Sequence, residues 1–181
     1  LSVDDIALPG KHNLSNMLGA ATSSSLMGIS DKHIANIMKT FIGVEHRLEN
    51  VAIIKDVTYI NDSKATNLDS VSVAIQSFNK PVVLILGGRN KGADFRLLLP
   101  HIKSSHVRDI ISYGEAGGQI STALGDAVRS VQVTDLNSAV KTAQRLAAPG
   151  DVVLLSPGCA SFDQFANFEE RGQYFKTKVL E

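Results

Sequence analysis

Apolar positions along the chain follow two regimes. Up to about residue 43 they recur at helical spacing. Asn13 reads as the cap of a helix running to about Gly28, after a turn at Pro9-Gly10. Ser30 then precedes Ile34, Ile37, Met38 and Phe41, whose spacing of three, four and seven marks one helix face, with Gly43 as its end. Two helices without a sheet make a poor domain, so this stretch reads as the tail of a preceding domain, with boundaries 1–43 and 44–181.

Beyond Gly43 the pattern becomes strand-like. Val51–Ile54 and Val57–Ile60 flank Lys55-Asp56 as a hairpin. Helices are expected over Leu68–Phe78, Phe95–Lys103 (with Pro100 a kink or early stop), Gly117–Leu124, Leu136–Ala147 and from Phe162 to the end. Strands are expected over Val82–Leu86, Val107–Tyr113, Val131–Thr134 and Val152–Ser156. Several strands are continuous apolar runs, as required when helices cover both faces of a sheet. Their alternation with helices implies a doubly wound α/β domain, a mostly parallel sheet with right-handed crossovers.

Composition narrows the partners. The chain has 181 residues, 44% hydrophobic, with 18 basic against 18 acidic residues and no Lys/Arg run. That balance argues against nucleic acid or an anionic membrane and for a small ligand. Cys159 is the only cysteine, which excludes an internal disulfide and fits a reducing, cytoplasmic setting. No apolar run approaches the roughly 20 residues needed to span a bilayer, and no signal-peptide pattern opens the chain. Motif-like residues begin at once after Leu1, so the chain reads as a piece of a longer protein.

The candidate chemistry lies in three loops that follow strands. The first is Asn61-Asp62-Ser63-Lys64-Ala65-Thr66-Asn67, far more polar than a turn requires. The second runs from Gly87 to Asp94 and carries Lys91; the third runs from Ser156 to Ser161. In an open parallel sheet, ligands bind beyond the carboxyl ends of the strands. Thr66, Asp94 and Ser161 each read as a helix cap, and free N–H groups at such ends attract anions. With Lys64 and Lys91, the cluster suits a small dicarboxylate or a phosphate. Plainer readings exist: Thr66-x-x-Asp69 and Ser161-x-x-Gln164 match capping boxes, and Lys91 alone reads as a solvated lysine. Gly114-x-x-Gly117-Gly118 lacks the full glycine spacing of a dinucleotide loop. Cys159 has no histidine near it in sequence to act as a base. The five histidines show no metal-ligand spacing, so no metal site is expected in this chain.

Taken in order, the motifs resemble the Mur ligases that add D-glutamate. They are Gly10-Lys11-His12-Asn13-Leu14-Ser15-Asn16, His46-Arg47-Leu48-Glu49, the Asn61–Asn67 string, Gly87-Gly88 with Lys91-Gly92-x-Asp94-Phe95, Ser156-Pro157-x-Cys159-Ala160-Ser161-Phe162-Asp163, and Phe168-Glu169-x-Arg171-Gly172-x-x-Phe175. The resemblance covers essentially the whole chain, and the Asn61–Asn67 string separates this group from ligases for other amino acids. Gly158 departs from it, since the family commonly has alanine there.

The resemblance implies a helical remnant of a central ATPase domain followed by a Rossmann-like amino-acid-binding domain. It implies an ATP-dependent ligase of peptidoglycan synthesis that joins D-glutamate to UDP-N-acetylmuramoyl-L-alanine through an acyl phosphate. Asn13, Asn16, Arg47, Asp62 and Lys64 would bind the nucleotide, with Lys64 also near the developing negative charge as the catalytic residue. Thr66, Lys91, Ser161 and Phe168 would bind D-glutamate, with Phe162 beside Phe168 along its methylene stem. Mg2+ would be held by ligands outside this chain, which also lacks the family's G-x-x-x-x-G-K-[ST] phosphate loop. A monomer, inactive as this fragment, is expected. The competing readings are a stand-alone Rossmann-like module binding a nucleotide or anion without catalysis, and a related ligase for another amino acid.

Overall fold

The computed structural model describes Ser2, Asp5, Ile6 and residues 11–181. They divide into two compact units, Leu1–Val44 and Glu45–Glu181. The turn expected at Pro9-Gly10 lies outside the described residues.

In the first unit, α1 (Lys11–Leu26) and α2 (Asp31–Thr40) pack against each other. Asn13 is not a cap: α1 starts two residues before it, leaving Asn13 within the first turn. Ser30 is the N-cap residue of α2, but its hydroxyl is bonded to His33 Nδ1 at 2.9 Å instead of a backbone N–H. The helix ends at Thr40, ahead of Gly43, because Phe41 is already extended. Met38 is buried, whereas Ile37 and Phe41 on the same apolar face are 60% and 40% exposed.

The second unit opens with a hairpin of β1 (Glu49–Ile54) and β2 (Val57–Asn61), paired antiparallel. Its two turn residues, Lys55 and Asp56, both take positive φ (51° and 61°), the type I′ geometry that matches strand twist. Next come α3 (Leu68–Ile75), β3 (Val82–Gly87), a 3-10 turn (Phe95–Leu98) running into α4 (Leu99–Lys103), and β4 (Val107–Tyr113). Then follow α5 (Gly117–Leu124), β5 (Arg129–Gln132), α6 (Leu136–Leu146), β6 (Val152–Gly158) and α7 (Phe168–Leu180). Pro100 neither kinks nor stops a helix. It sits in the first turn of α4, where its missing N–H costs nothing.

The six strands are ordered β1-β2-β6-β3-β4-β5, parallel from β2 onward. Every residue of β3 and β6 is buried, and alternate side chains feed opposite cores. Val82, Leu84 and Leu86 pack with residues of α3, α4 and α5 on one face; Val83 and Ile85 pack with α6 and α7 on the other. The doubly wound fold follows from this division.

Two boundaries differ from the pattern-based expectation. β5 begins at Arg129, two residues early, because Arg129 pairs with Asp109 on β4 and its guanidinium meets that buried carboxylate. An apolar count over Val131 and Val133 cannot register an edge strand held by charge. The last helix starts at Phe168 and not at Phe162. Asn167 caps it by accepting from the Glu170 N–H at 2.7 Å, while 162–167 form turns.

The hairpin turn makes a direct prediction. Asp56→Gly relieves a side chain held at positive φ and should stabilise the protein by about 0.5–1 kcal/mol. A rise in the urea midpoint at unchanged slope is the expected result. A lower midpoint would contradict the I′ assignment.

Candidate functional site

β2, β6 and β3 are neighbours in the sheet and run parallel, so the loops leaving their C-terminal ends emerge at one rim. Those loops carry Thr66, Ser161 and Lys91 respectively. The connection from β3 leads to β4 across the face covered by α3, α4 and α5. The one from β6 leads into α7 on the opposite face. The chain therefore parts in opposite directions between β6 and β3, the switch point at which such sheets bind ligands.

Across that gap the two diverging loops are stitched together. The Arg89 N–H donates to the Ala160 carbonyl at 2.9 Å, and the Ala160 N–H donates back at 3.0 Å. The contact requires glycine at 88: a Cβ there would lie 2.3 Å from the Ala160 oxygen, and φ is 121°. Gly158 has φ 67°, so glycine in place of the family's alanine suits the backbone it adopts. The Gly158 N–H also ties the first loop to the third by donating to the Ala65 carbonyl at 2.8 Å.

The first loop is largely buried, and its polar atoms are used internally. The Asp62 N–H continues the ladder to Leu155, and its carboxylate accepts from the Leu48 N–H at 3.2 Å and from Ser156 Oγ at 2.8 Å. Burial pushes the Asp62 pKa up to about 6, partly opposed by the Ser156 and Leu48 hydrogen bonds and by the charge of Arg47. A carboxylate offers about four lone-pair directions, so two remain for a ligand hydroxyl. Lys64 is exposed, its Nζ 3.9 Å above the centroid of the half-buried Phe168 ring. Thr66 is half-buried, Ser161 is 2% exposed, Lys91 is exposed and Phe162 projects into solvent at 61%.

The capping roles shift. Asn67, not Thr66, caps α3, its side chain accepting from the Ser70 N–H at 2.9 Å. Asp94 caps the 3-10 turn as expected. Ser161 caps no helix, because α7 starts seven residues later and Gln164, its presumed box partner, bonds Leu136 N and the Thr134 carbonyl instead. Thr66 and Ser161 are thus not spent on their own helix ends.

Arg47 is exposed between two residues with left-handed backbone, His46 (φ 66°) and Leu48 (φ 45°). Asn13 and Asn16 lie three apart on α1, hence on one face of that helix in the first unit. Glu45, His46 and Glu49 bring ligand-type atoms within 4.8 Å of one another. Lys176 Nζ already bonds both carboxylates, and His46 Nδ1 is taken up by the Asn61 amide at 3.0 Å. That set does not suit Mg2+.

Sequence reasoning passed over His46, Asn61 and Arg171 as site-forming residues. Arg171, fully buried, donates to Ser63 Oγ, Ser63 O and Cys159 O. Nothing in Phe168-Glu169-Glu170-Arg171 distinguishes it from a solvated helix arginine. Burial pushes the Cys159 thiol up to about 12, which removes it as a nucleophile. A cavity of about 410 Å³ lies at the other rim, lined by residues 76–79 and 104–106. It holds no lysine, arginine or carboxylate, whereas the C-terminal rim gathers all three, so the chemistry points to the latter.

The family described as "Mur ligase, glutamate ligase domain" matches residues 46–159. A UDP-N-acetylmuramoylalanine–D-glutamate ligase of Lactobacillus delbrueckii subsp. bulgaricus is 46% identical over 183 residues, covering 100% of this chain and 40% of its own length. The ligase of that name from Salinibacter ruber is 45% identical over 177 residues, covering 97% and 38%. The chain thus spans about two fifths of the length of the curated relatives it matches. Among solved structures, the UDP-N-acetylmuramate-alanine ligase of Thermotoga maritima superposes with TM-score 0.72 at 15% identity, over 95% of this chain and 37% of that one. MurF from Acinetobacter baumannii gives 0.68 at 14%, over 94% and 38%. These two share the fold.

Asp62 supplies a test of the site's electrostatics. Its folded pKa lies above the ordinary 3.8, so the folded state holds the proton more tightly than the unfolded chain. Its ionisation therefore costs stability as pH rises from about 4 to 6, and the full cost applies above 6. Asp62→Asn, whose Oδ1 can accept from the Leu48 N–H while its Nδ2 donates to Ser156 Oγ, should be more stable than the parent at pH 7.5 by of order 1–2 kcal/mol. Paired urea melts should show that margin shrinking below pH 6 and closing near 4; a constant margin would refute the assignment.

With the matched region, the rim geometry and the relatives all in agreement, the chain belongs to the Mur ligase family and contains its glutamate ligase domain.

Proposed function

We propose that this chain is the C-terminal part of an ATP-dependent ligase that joins D-glutamate to UDP-N-acetylmuramoyl-L-alanine in peptidoglycan precursor synthesis. The observation that carries this reading is identity of 45–46% to ligases so named across essentially the whole chain. The discriminating Asn61–Asn67 string faces the Lys91 and Ser161 loops at one rim of the sheet, which supports it.

In this reading, ATP phosphorylates the substrate carboxylate, the amine of D-glutamate attacks the acyl phosphate, and the tetrahedral intermediate collapses to amide and phosphate. Such chemistry needs positioning and neutralisation of phosphate charge more than covalent participation by the protein. Lys91 supplies the full positive charge for a D-glutamate carboxylate, Thr66 and Ser161 complete its hydrogen bonds, and Phe168 walls the methylene stem. Lys64 lies with the nucleotide, near the developing negative charge. The free lone pairs of Asp62 accept from ribose hydroxyls, Arg47 reaches phosphate or stacks, and Asn13 and Asn16 read the adenine edge. Mg2+ is held by residues outside this chain.

Residues 1–43 belong to the tail of the central ATPase domain. The exposure of Ile37 and Phe41 is in keeping with helices cut from a larger core. The parent enzyme acts as a cytoplasmic monomer, where ATP is available.

Two measurements test the reading. The full-length protein should release phosphate from ATP only when D-glutamate and UDP-N-acetylmuramoyl-L-alanine are both present, and the isolated chain should show no turnover. Release without D-glutamate would favour another amino acid, and turnover by the isolated chain would overturn the fragment reading. Lys91→Ala in the full-length protein should raise the KM for D-glutamate about ten-fold or more, since a charge-assisted hydrogen bond is worth about 1.5–3 kcal/mol. The ATP KM should stay nearly fixed. An unchanged glutamate KM removes Lys91 from the pocket.

A further inference from the structure

Arg171 is the largest fully buried side chain among the described residues. Its guanidinium forms a fork across two of the three rim loops. Nε donates to Ser63 Oγ at 2.9 Å, Nη2 to the Ser63 carbonyl at 2.8 Å, and Nη1 to the Cys159 carbonyl at 3.1 Å. Ser63 Oγ in turn donates to the Phe168 carbonyl at 2.8 Å, closing the circuit onto the first turn of α7. All three partners are neutral, and among the described residues no carboxylate lies within 4.0 Å. The charge is felt nearby: burial raises the pKa values of Tyr113 and Cys159, and Arg171 opposes both shifts. The Tyr113 hydroxyl faces this field without hydrogen-bond geometry to the cation.

Gly88 leaves room for the fork, since a Cβ there would come 3.2 Å from Nη1. Stability alone does not explain a buried cation without a counter-ion, since an apolar side chain of similar volume avoids its desolvation. What the fork does achieve is a fixed relation among three short segments. Ser63 is three residues before Thr66, Cys159 is two before Ser161, and Phe168 is one helical turn from Arg171 itself.

We propose that Arg171 is the positioning residue of the acceptor pocket, setting Thr66, Ser161 and Phe168 in mutual register and leaving net positive charge under the loops that receive a dicarboxylate. The inference rests on the D-glutamate reading above for the identity of the ligand, but not for the coupling of the loops. Arg171 is fully buried and spends its donors on Ser63 and Cys159, so its effect should fall on how D-glutamate is held and not on the nucleotide.

Two arms test it. Hydrogen exchange of this chain, read by mass spectrometry, compares the parent with Arg171→Met, Arg171→Lys and Ser63→Ala. Faster exchange is expected in residues 63–67 and 159–162 together, with β4 and α6 unaffected. In the full-length ligase, Arg171→Met should raise the KM for D-glutamate about ten-fold while the ATP KM moves less than about two-fold, as loss of a charged hydrogen-bonded group predicts. Arg171→Lys, keeping the charge without the fork, should fall between. A uniform rise in exchange, or equal shifts of both KM values, would mark Arg171 as an ordinary core residue and overturn the proposal. Should Arg171→Met fail to fold, Ser63→Ala decides: unchanged exchange in the two loops sinks the idea. Failure of the parent enzyme to use D-glutamate would instead remove the ligand assignment, and the exchange arm would still judge the coupling.

Discussion

The insertion of β6 between β2 and β3 is the constraint from which the rest of the second unit follows. Strand β6 forms late in the sequence yet pairs with both, Leu154 opposite Ile60 on one side and Leu84 on the other. To reach that slot the chain crosses the sheet on the α6 face after having built β3, β4 and β5 under the α3–α5 face. The same crossing opens the gap between the β3 and β6 exits and brings a loop from residue 61 beside one from residue 156. The candidate site, made from residues about a hundred positions apart, is therefore a product of strand order and is held by backbone ladders.

Those ladders fix where the loops begin, but side chains decide where they go. The Asp62, Ser63 and Asn61 side chains turn inward, each bonded to a distant segment: Leu48 and Ser156, Phe168 and Arg171, and His46 and Glu49. Lys64 is exposed and lies over the Phe168 ring, and Asn67 is exposed as well. The string that reads from sequence as a ligand-holding loop is thus divided. Most of it is internal bracing, and a minority faces the rim.

That division explains which parts could be read from the amino-acid order. Continuous apolar runs such as Val82–Leu86 announce buried parallel strands, and the Lys55-Asp56 break announces a hairpin, because both signals are local. Thr66 and Asn67 are equally good caps by type; choosing between them depends on where β2 releases the chain, which its pairing with β6 determines. Phe162 reads as the start of a helix because the residues that follow tolerate one. Gln164, however, is drawn off to the backbone of residues 134 and 136, a contact invisible until α6 is in place. Arg171 was hidden for a related reason: flanked by Glu169 and Glu170 it has the composition of a wet helix face. Only the depth of α7 against the loops shows it to be core.

The polar layer beneath the loops also has an energetic logic. His46 and Leu48 hold left-handed backbone that costs about 1–3 kcal/mol per residue, and Asp62 ionises against its burial. Leu48 packs against the core of the α3–α5 face and the His46 ring meets Phe168 edge to face. A set of directed bonds adds to this: the Glu49 carboxylate accepts from the His46 N–H and the Asn61 amide, and Asp62 accepts from the Leu48 N–H. Each bond has a single geometry that satisfies it, so the segment around Arg47 has one well-defined course from the unit boundary into β1. A greasier connection could be more stable and would leave Arg47 with many orientations. Stability is exchanged for direction around Arg47, and the same exchange recurs at Arg171 beneath the rim loops.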